Sequence, residues 1–260
     1  MAFVRTWLGM NIQRATTGMG IFYYLDEDHF IAGELRNGLA WETHVLRAVL
    51  ASLPADGPFN VIDVGAHIGT HTIPYSRWAS GRGVVHAFEP QAVMAELLSR
   101  NVEANGCSAG VEIHRVAVGH VDGAEVSLED VIHDGPNWGQ PYRYETGREF
   151  NYGGLQLGVG GPKVFMRTLD SFAFTDVALL KVDAEGSEPL VLWGARELIR
   201  RCRPRILFER NDKCVSESMM AMIEIPEEVR TFRIEDYAST LGYAGPRRVG
   251  DIEWLLEPGP

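Results

Sequence analysis

The amino-acid sequence predicts an α/β fold built on a doubly wound, mostly parallel sheet. Apolar runs of strand length alternate with segments of helical periodicity from about residue 60 to residue 209. The first of these runs, 60–64, leads into a glycine-rich turn, Asp63-Val64-Gly65-Ala66-His67-Ile68-Gly69, and the next run, 83–88, ends in Glu89-Pro90. A glycine turn followed at this spacing by a carboxylate at a strand end is typical of α/β folds that bind nucleosides.

The elements follow in order along the chain. Residues 1–55 predict an N-terminal extension, with a strand at 21–25 and a helix at 41–53, that packs on the core. The domain 56–260 then predicts strands at 60–64, 83–88, 111–118, 177–182 and 205–208, helices at about 69–79, 91–104 and 188–200, and a closing hairpin at 241–258.

One segment, residues 120 to about 163, is too long for an ordinary connection between two strands. Its aromatic residues are Trp138, Tyr142, Tyr144, Phe150 and Tyr152. Disordered segments are poor in aromatic side chains, which favours an inserted, lid-like segment over a disordered decoration. We therefore expect it to form a wall of the substrate site.

Composition and charge narrow the classes of partner. The net charge of −11 argues against nucleic acid and anionic membranes, and leaves a neutral small molecule or a glycan as the partner. No apolar run approaches the roughly 20 residues that span a bilayer. Three cysteines, Cys107, Cys202 and Cys214, are odd in number and widely spaced, which predicts a reducing compartment, the cytoplasm. The sequence does not decide whether the chain forms a homo-oligomer.

The glycine turn and the strand-end carboxylates predict the cofactor. Ligands in such sheets bind outside the carboxyl ends of the strands, where the strand order switches. Dinucleotide folds place glycine at the strand end to receive a pyrophosphate, whereas Asp63 comes first here and would repel phosphates. A carboxylate suits an ammonium and a sulfonium, which indicates S-adenosylmethionine (SAM), with Glu89 on the ribose hydroxyls. The residues predicted to bind SAM are Asp63, Gly65, Ala66, His67, Gly69, Glu89, Pro90, Ala117 and Asp183.

Two carboxylates after the fourth strand, Asp183 and Glu185, are the predicted catalytic residues. Methyl transfer needs the acceptor and the methyl group held in line, and a hydroxyl acceptor must also lose its proton to a nearby base. A solvated strand end and a helix-dipole contact are the simpler interpretations of the two side chains. We expect no metal; the alternative is Mg²⁺ bound by Asp183, Glu185, Glu209 and Asp212. His67 and His71 are weaker candidates for the acceptor side.

The motifs together resemble the FkbM family of SAM-dependent methyltransferases. The resemblance is carried by 61–69, by Ala87-Phe88-Glu89-Pro90, by Ala117-Val118-Gly119, by Arg167-Thr168-Leu169-Asp170, by 180–188 and by 204–209. It implies the seven-stranded, Rossmann-like sheet of class I methyltransferases with an antiparallel last strand, and O-methylation of sugars or secondary metabolites. His67 stands where the family more often has Asn, and the long insertion is a second departure on the acceptor side.

Several rival functions are weighed on the same residues. A short-chain NAD-dependent oxidoreductase needs a Tyr-x-x-x-Lys pair, but Val159, Val177 and Glu209 stand four residues before the three lysines. A non-catalytic SAM-binding module should lack the acidic group at position 183. N-methylation of a small molecule remains open, because an amine needs only deprotonation and alignment.

Overall fold

A mixed seven-stranded sheet forms the centre of the computed structural model, which describes residues 10–57, 59–131, 139–141, 149–210 and 215–259. In chain order the strands are β1 (Ile12–Thr17), β2 (Gly20–Leu25), β3 (Asn60–Val64), β4 (Val85–Phe88), β5 (Val111–His114), β6 (Ala117–Val118), β7 (Glu125–Glu129), β8 (Gly160–Arg167), β9 (Val177–Val182), β10 (Arg205–Glu209), β11 (Arg247–Arg248) and β12 (Glu253–Leu256). The helices are α1 (Ile31–Arg36), α2 (Thr43–Ser52), α3 (Thr72–Ala79), α4 (Ala92–Ala104), α5 (Glu188–Trp193), α6 (Arg196–Cys202), α7 (Glu217–Met222), α8 (Glu227–Arg230) and α9 (Ile234–Thr240).

The strand order places the functional edge of the sheet. The order is β5-β4-β3-β9-β10-β12-β11, and the five strands from β5 to β10 are parallel. Strand β12 runs antiparallel to β10, and β11 antiparallel to β12. The chain moves outward from β3 to β5 and then returns to the other side of β3 at β9. This reversal creates the switch point at which α/β sheets bind ligands, beside the carboxyl ends of β3 and β9.

Helices cover both faces of the sheet, as the alternation of side chains along buried strands requires. On one face, Val61 and Leu179 pack with Leu46 of α2 and Tyr75 of α3. On the other face, the neighbouring residue Ile62 packs with α5, α6 and α9. The predicted α/β fold is therefore confirmed, and its seven-stranded sheet is mixed, with five parallel strands and two strands that pair antiparallel at one edge. Among the described residues, every helix is too short or too polar to cross a bilayer.

The N-terminal hairpin of β1 and β2 is attached to α4 by two asparagines. The Asn101 side chain accepts a hydrogen bond from Tyr23 N at 2.6 Å and donates to Tyr23 O at 3.0 Å. Asn105 pairs in the same way with Ile21, at 2.9 and 2.6 Å. These side chains act as a substitute strand edge for the hairpin. The segment after the hairpin, residues 28–44, is thereby directed toward the carboxyl end of the sheet.

The structure differs from the prediction between residues 111 and 167. The predicted strand 111–118 is two strands, because β5 ends at His114 and Ala117 pairs instead with Met166. Residues 117–118, 125–129 and 160–167 form a separate three-stranded sheet, β6-β8-β7. Two parts of the predicted lid, 125–129 and 160–163, thus belong to this sheet, which packs its own apolar cluster around the fully buried Met166.

The predicted helix 188–200 is also interrupted. It divides into α5 and α6 at Gly194, where a β-carbon would lie 2.0 Å from the carbonyl oxygen of Gly119. This close approach of two backbones requires glycine, and the helix breaks at the position that it occupies.

Candidate active site

A crevice of about 890 Å³ opens at the carboxyl ends of the central strands. Predicted site residues from different strand ends meet there: Gly65, Ala66, His67, Glu89, Pro90, Ala117, Asp183 and Glu185 all line it. Glu209 from the end of β10 and His71 line it too. Two predicted residues, Asp63 and Gly69, do not appear in its lining and are placed differently, as described below.

The turn after β3 holds the floor of the crevice. Gly65 has a φ of +73°, and its N–H and that of Ala66 both donate to Phe88 O at 3.0 Å. A β-carbon at Gly65 would lie 1.7 Å from the carbonyl oxygen of Asp183. Only glycine allows both the positive φ and this approach, so residue 65 draws the ends of β3, β4 and β9 together.

Gly69 serves packing rather than the lining of the crevice. Its φ is +90°, and a β-carbon there would lie 2.6 Å from Leu98 Cδ1 of α4. The second glycine of the motif therefore brings the turn against α4. The sequence pattern predicted a ligand contact because it does not distinguish a glycine that faces a ligand from one that faces a helix.

Asp63 is fully buried, which corrects the prediction that it contacts the cofactor. Its exposed fraction is 0%, its Oδ2 accepts from the Thr72 hydroxyl at 2.6 Å, and its Oδ1 lies 3.1 Å from Lys181 Nζ. A carboxylate held in this way has no surface left for a ligand. Asp63 instead positions Lys181 and the first turn of α3, behind the glycine turn.

Lys181 is the functional residue that the sequence analysis missed. Its ammonium lies 3.2 Å from Asp183 Oδ2 and donates to Gly65 O at 2.9 Å, so it connects both strand ends. Burial favours the neutral amine, but Asp63 and Asp183 outweigh it and raise the pKa of Lys181 above its ordinary value. A single charge within the apolar run 177–182 was the available signal, since a buried lysine needs acidic partners.

Glu89 lies at the end of β4 in a position that suits a ribose. It is 3% exposed, and its two oxygens accept hydrogen bonds from His67 N and Gln91 N, each at 2.8 Å. Burial raises the pKa of Glu89 to about 7 in spite of these two donors. Each carboxylate oxygen can accept more than one hydrogen bond, so the fixed side chain retains capacity for two ligand hydroxyls.

Acidic side chains dominate the other end of the crevice. Burial, and then repulsion from Asp183 and Glu185, raise the pKa of Glu209 to about 10. Glu185 adopts a positive φ of 47° just before α5. Asp212, the fourth carboxylate of the alternative Mg²⁺ site, lies outside the described residues. Among the described residues, Asp183, Glu185 and Glu209 do not form a close three-donor cluster.

The outer wall comes from the N-terminal segment. Phe30, Trp41 and Glu42 line the crevice, and Glu42 lies 3.2 Å from His71 Nε2. The backbone of this segment pairs with the end of the insertion, where His29 N donates to Phe150 O at 2.8 Å. The motifs in residues 60–209 carry no signal for this long-range pairing.

His67 faces the same wall. It has a φ of +49°, and its two ring nitrogens are buried without a hydrogen-bond partner among the described residues. Burial and the nearby Lys181 lower the pKa of His67 to about 3, so the imidazole is neutral. The nearest carboxylate oxygen, Oδ2 of Asp28, lies 3.9 Å from Nε2. A neutral ring in this position can donate a hydrogen bond to a ligand or accept one from it.

The aromatic residues of the insertion do not form the predicted stacking wall where they are described. Phe150 and Tyr152 are each 1% exposed and belong to the core cluster with α4 and β2. Trp138, Tyr142 and Tyr144 lie outside the described residues. Asn151, Gly153, Leu155 and Leu157 are the insertion residues near this end that line the crevice.

Comparison with known protein families identifies the family to which the chain belongs. The model of the family described as "Methyltransferase FkbM domain" matches residues 63–236, which includes the glycine turn, Glu89, Asp183 and Glu209. The chain belongs to this family. The FkbM resemblance and the cofactor, SAM, are thus confirmed, and the protein is a SAM-dependent methyltransferase. No curated protein matches the sequence significantly.

Solved structures of methyltransferases are similar to the chain at low identity. Methyltransferase FkbM from Methylobacillus flagellatus KT is 16% identical over 77% of this chain and 43% of its own, with a TM-score of 0.46. A SAM-dependent O-methyltransferase from Thermotoga maritima is 12% identical over 95% and 86%, with a TM-score of 0.43. TYW2 from M. jannaschii, in complex with AdoMet, is 13% identical over 96% and 85%, with a TM-score of 0.42. The chain thus spans less than half the length of the Methylobacillus chain.

Proposed function

We propose that this FkbM-family protein transfers the methyl group of SAM to a hydroxyl of a small polar metabolite, sugar or natural product. The observation that carries the proposal is one crevice that joins Glu89, on the cofactor side, to Asp183, Glu185 and the N-terminal wall. The residues fit SAM, since Gly65 allows the close approach of the strand ends that form the crevice and the buried Glu89 retains acceptor capacity. The crevice volume of about 890 Å³ is large enough to hold the cofactor and a small acceptor together.

The chemistry divides between the cofactor and the chain. SAM would supply a methyl group on a sulfonium, and the acceptor oxygen would form the new O–C bond as the S–C bond breaks and its electron pair stays on sulfur. Glu89 would hold the ribose, and the acidic lining would favour the sulfonium charge. The acceptor proton would pass to a carboxylate, for which Asp183 is our candidate. Alignment of the two reacting atoms supplies much of the rate in such a displacement.

The surroundings of Asp183 support a role on the acceptor side. One of its oxygens contacts Lys181, but the side chain remains 35% exposed within the crevice. Its backbone N–H donates to Val64 O at 3.2 Å, which fixes it beside the glycine turn. Glu185 would assist by its charge and by its position in the turn just before α5.

N-methylation is the second candidate, and a specific observation favours it. Burial is the main cause that raises the pKa of Glu209 to about 10, and the neighbouring Asp183 and Glu185 add repulsion to it. A cationic amine would relieve this repulsion, whereas a neutral alcohol would not. An amine acceptor and an alcohol acceptor therefore differ in the charge that they bring to the acidic end of the crevice near Glu209.

Two pairs of variants test the proposal. Glu89→Gln should weaken SAM binding in calorimetry by at least about tenfold, because a charge-assisted acceptor is lost, whereas the exposed Glu96→Gln on α4 should not. Asp183→Asn should retain SAM binding and lose transfer of labelled methyl to a panel of polyols, sugars and amines. Asp176→Asn, at the opposite end of β9, is its control. Unchanged SAM affinity in Glu89→Gln would contradict the cofactor placement, and full transfer by Asp183→Asn would make residue 183 structural.

The partners proposed from the sequence are retained as part of this function. We propose a small-molecule or glycan acceptor, no nucleic-acid or membrane partner, and a cytoplasmic location, on the basis of the net charge of −11 and the odd number of cysteines. Light scattering would determine whether the chain forms a homo-oligomer.

A further inference from the structure

Three potential metal ligands share one face of the sheet at its edge. His86 lies on β4, and Glu112 and His114 lie on the neighbouring edge strand β5. His86 is the register partner of Glu112, and Phe88 is that of His114. Side chains two residues apart on a strand point the same way, so all three ligands project to the same side. None of them lines the crevice.

The distances between the donor atoms fit one metal ion. His86 Nδ1 lies 3.2 Å from Glu112 Oε2 and 3.4 Å from His114 Nε2, and all donor atoms lie within 4.8 Å of one another. Zinc–ligand bonds of about 2.0–2.1 Å in a tetrahedral site separate ligand atoms by roughly 3.3 Å. Two of the distances are therefore close to those of a formed site.

Aromatic rings hold the two imidazoles in place. The His114 ring stacks on Phe88 with centroids 4.5 Å apart, and the His86 ring lies 4.3 Å from that of Phe174. Phe172 packs against Phe174, with ring planes 4° from parallel. The neutral form of an imidazole keeps a lone pair on one ring nitrogen, and that nitrogen can bind a metal.

We propose that His86, Glu112 and His114 bind a divalent transition-metal ion of the zinc class, separate from the methyl-transfer crevice. Two imidazoles and one carboxylate form a ligand set that zinc accepts, with one position left for solvent. The Glu112 side chain is 61% exposed, which leaves that position open to water. Mg²⁺ and Ca²⁺ prefer oxygen ligands and are poor occupants of such a site.

A bound ion would reinforce the strand end that carries Glu89. His114 O accepts a hydrogen bond from Glu89 N at 3.1 Å, so the backbone of one ligand contacts the cofactor-side carboxylate. The ion would cross-link β4 to the edge strand β5 at this point. The expected effect is a rise in melting temperature with Zn²⁺ alone, because an ion that binds only the folded state stabilises it.

The test uses chelator-treated full-length protein and Zn²⁺ alone. Calorimetry should show one ion per chain, and Co²⁺ in its place should give the visible absorption of a low-coordinate site. Glu112→Gln and His114→Ala should each weaken Zn²⁺ binding by roughly tenfold or more, in line with the 10–100-fold losses that even outer partners of a metal site produce. The controls are Glu103→Gln on the exposed face of α4 and His120→Ala.

The outcomes separate a metal site from an ordinary ion pair. If Zn²⁺ does not bind wild-type protein, the contact of His86 with Glu112 is a plain ion pair and the proposal fails. Equal binding by wild type, Glu112→Gln and His114→Ala would assign the ion to other histidines and also overturn it. Since binding is read without SAM, neither result depends on the proposed methyl transfer.

Discussion

Replacement of Lys181 by Met should destabilise the protein far more than loss of an ordinary ion pair. The Met side chain retains most of the apolar volume, so the change removes mainly the charge. Asp63, with 0% exposure, would then keep only the Thr72 hydroxyl as a side-chain partner. The perturbation therefore isolates the cost of a buried carboxylate without its cation.

The expected magnitude follows from the burial of both partners. Breaking a buried ion pair by removing one partner costs about 3–5 kcal/mol. Lys181 is 4% exposed and lies 3.1 and 3.2 Å from two carboxylates, so it belongs to that class. Lys163→Met is the matched control, because Lys163 pairs with Glu125 at the surface, where both side chains are at least half exposed. Such a pair contributes below about 1 kcal/mol.

Urea denaturation at pH 7 measures both variants under conditions in which Lys181 is charged. Its pKa is raised above the ordinary 10.5, so its stabilisation is present below about pH 10.5 and is lost only as the pH rises beyond that value. The double variant with Asp63→Asn should recover part of the loss, because no buried charge remains unpaired. Equal, small losses in Lys181→Met and Lys163→Met would refute this account.

Two further substitutions test the turn and the acidic wall. Gly65→Ala should cost more than about 4 kcal/mol in urea denaturation and abolish SAM binding, because its β-carbon would meet the Asp183 carbonyl at 1.7 Å. Gly81→Ala has a similar φ of +78° in open space and should cost only about 1–2 kcal/mol; equal losses would contradict the close-approach argument. Burial raises the pKa of Glu209 from 4.5 to about 10, so its contribution to stability is lost as the pH rises. The melting temperature of Glu209→Gln relative to that of wild type should therefore rise between pH 5 and pH 8. The exposed variant Glu228→Gln should show no such rise.

The sequence predicts those parts of the site that depend on local pattern. Glu89 and Asp183 follow apolar strands, and the carboxyl ends of parallel strands meet at one edge, so both reach the crevice as expected. The partner of Asp63 depends on the register of β3 with β9, which places Lys181 opposite it. Register between strands more than a hundred residues apart is set by packing and is not encoded in a short motif.

The wall of the crevice was predicted least well, for a related reason. Aromatic content alone favoured residues 120–163 as the wall, but Phe150 and Tyr152 are large apolar groups that the core near α4 takes up. The backbone at Phe150 then pairs with residues 27–29, and this contact brings the N-terminal segment over the site. An aromatic residue in a long insertion is thus as consistent with core packing as with ligand stacking.

The charge distribution links the fold to the cofactor. Among the residues that the structure describes, the crevice lining contains one lysine, Lys181, and its ammonium is already shared between Asp63 and Asp183. Burial raises the pKa values of Glu89 and Glu209, and repulsion from Asp183 adds to the rise at both. A ligand with net positive charge, such as SAM, reduces this repulsion, whereas the demethylated product lacks the sulfonium and does so less. The same acidic lining that limits the stability of the empty protein would therefore favour SAM over its product in the next cycle.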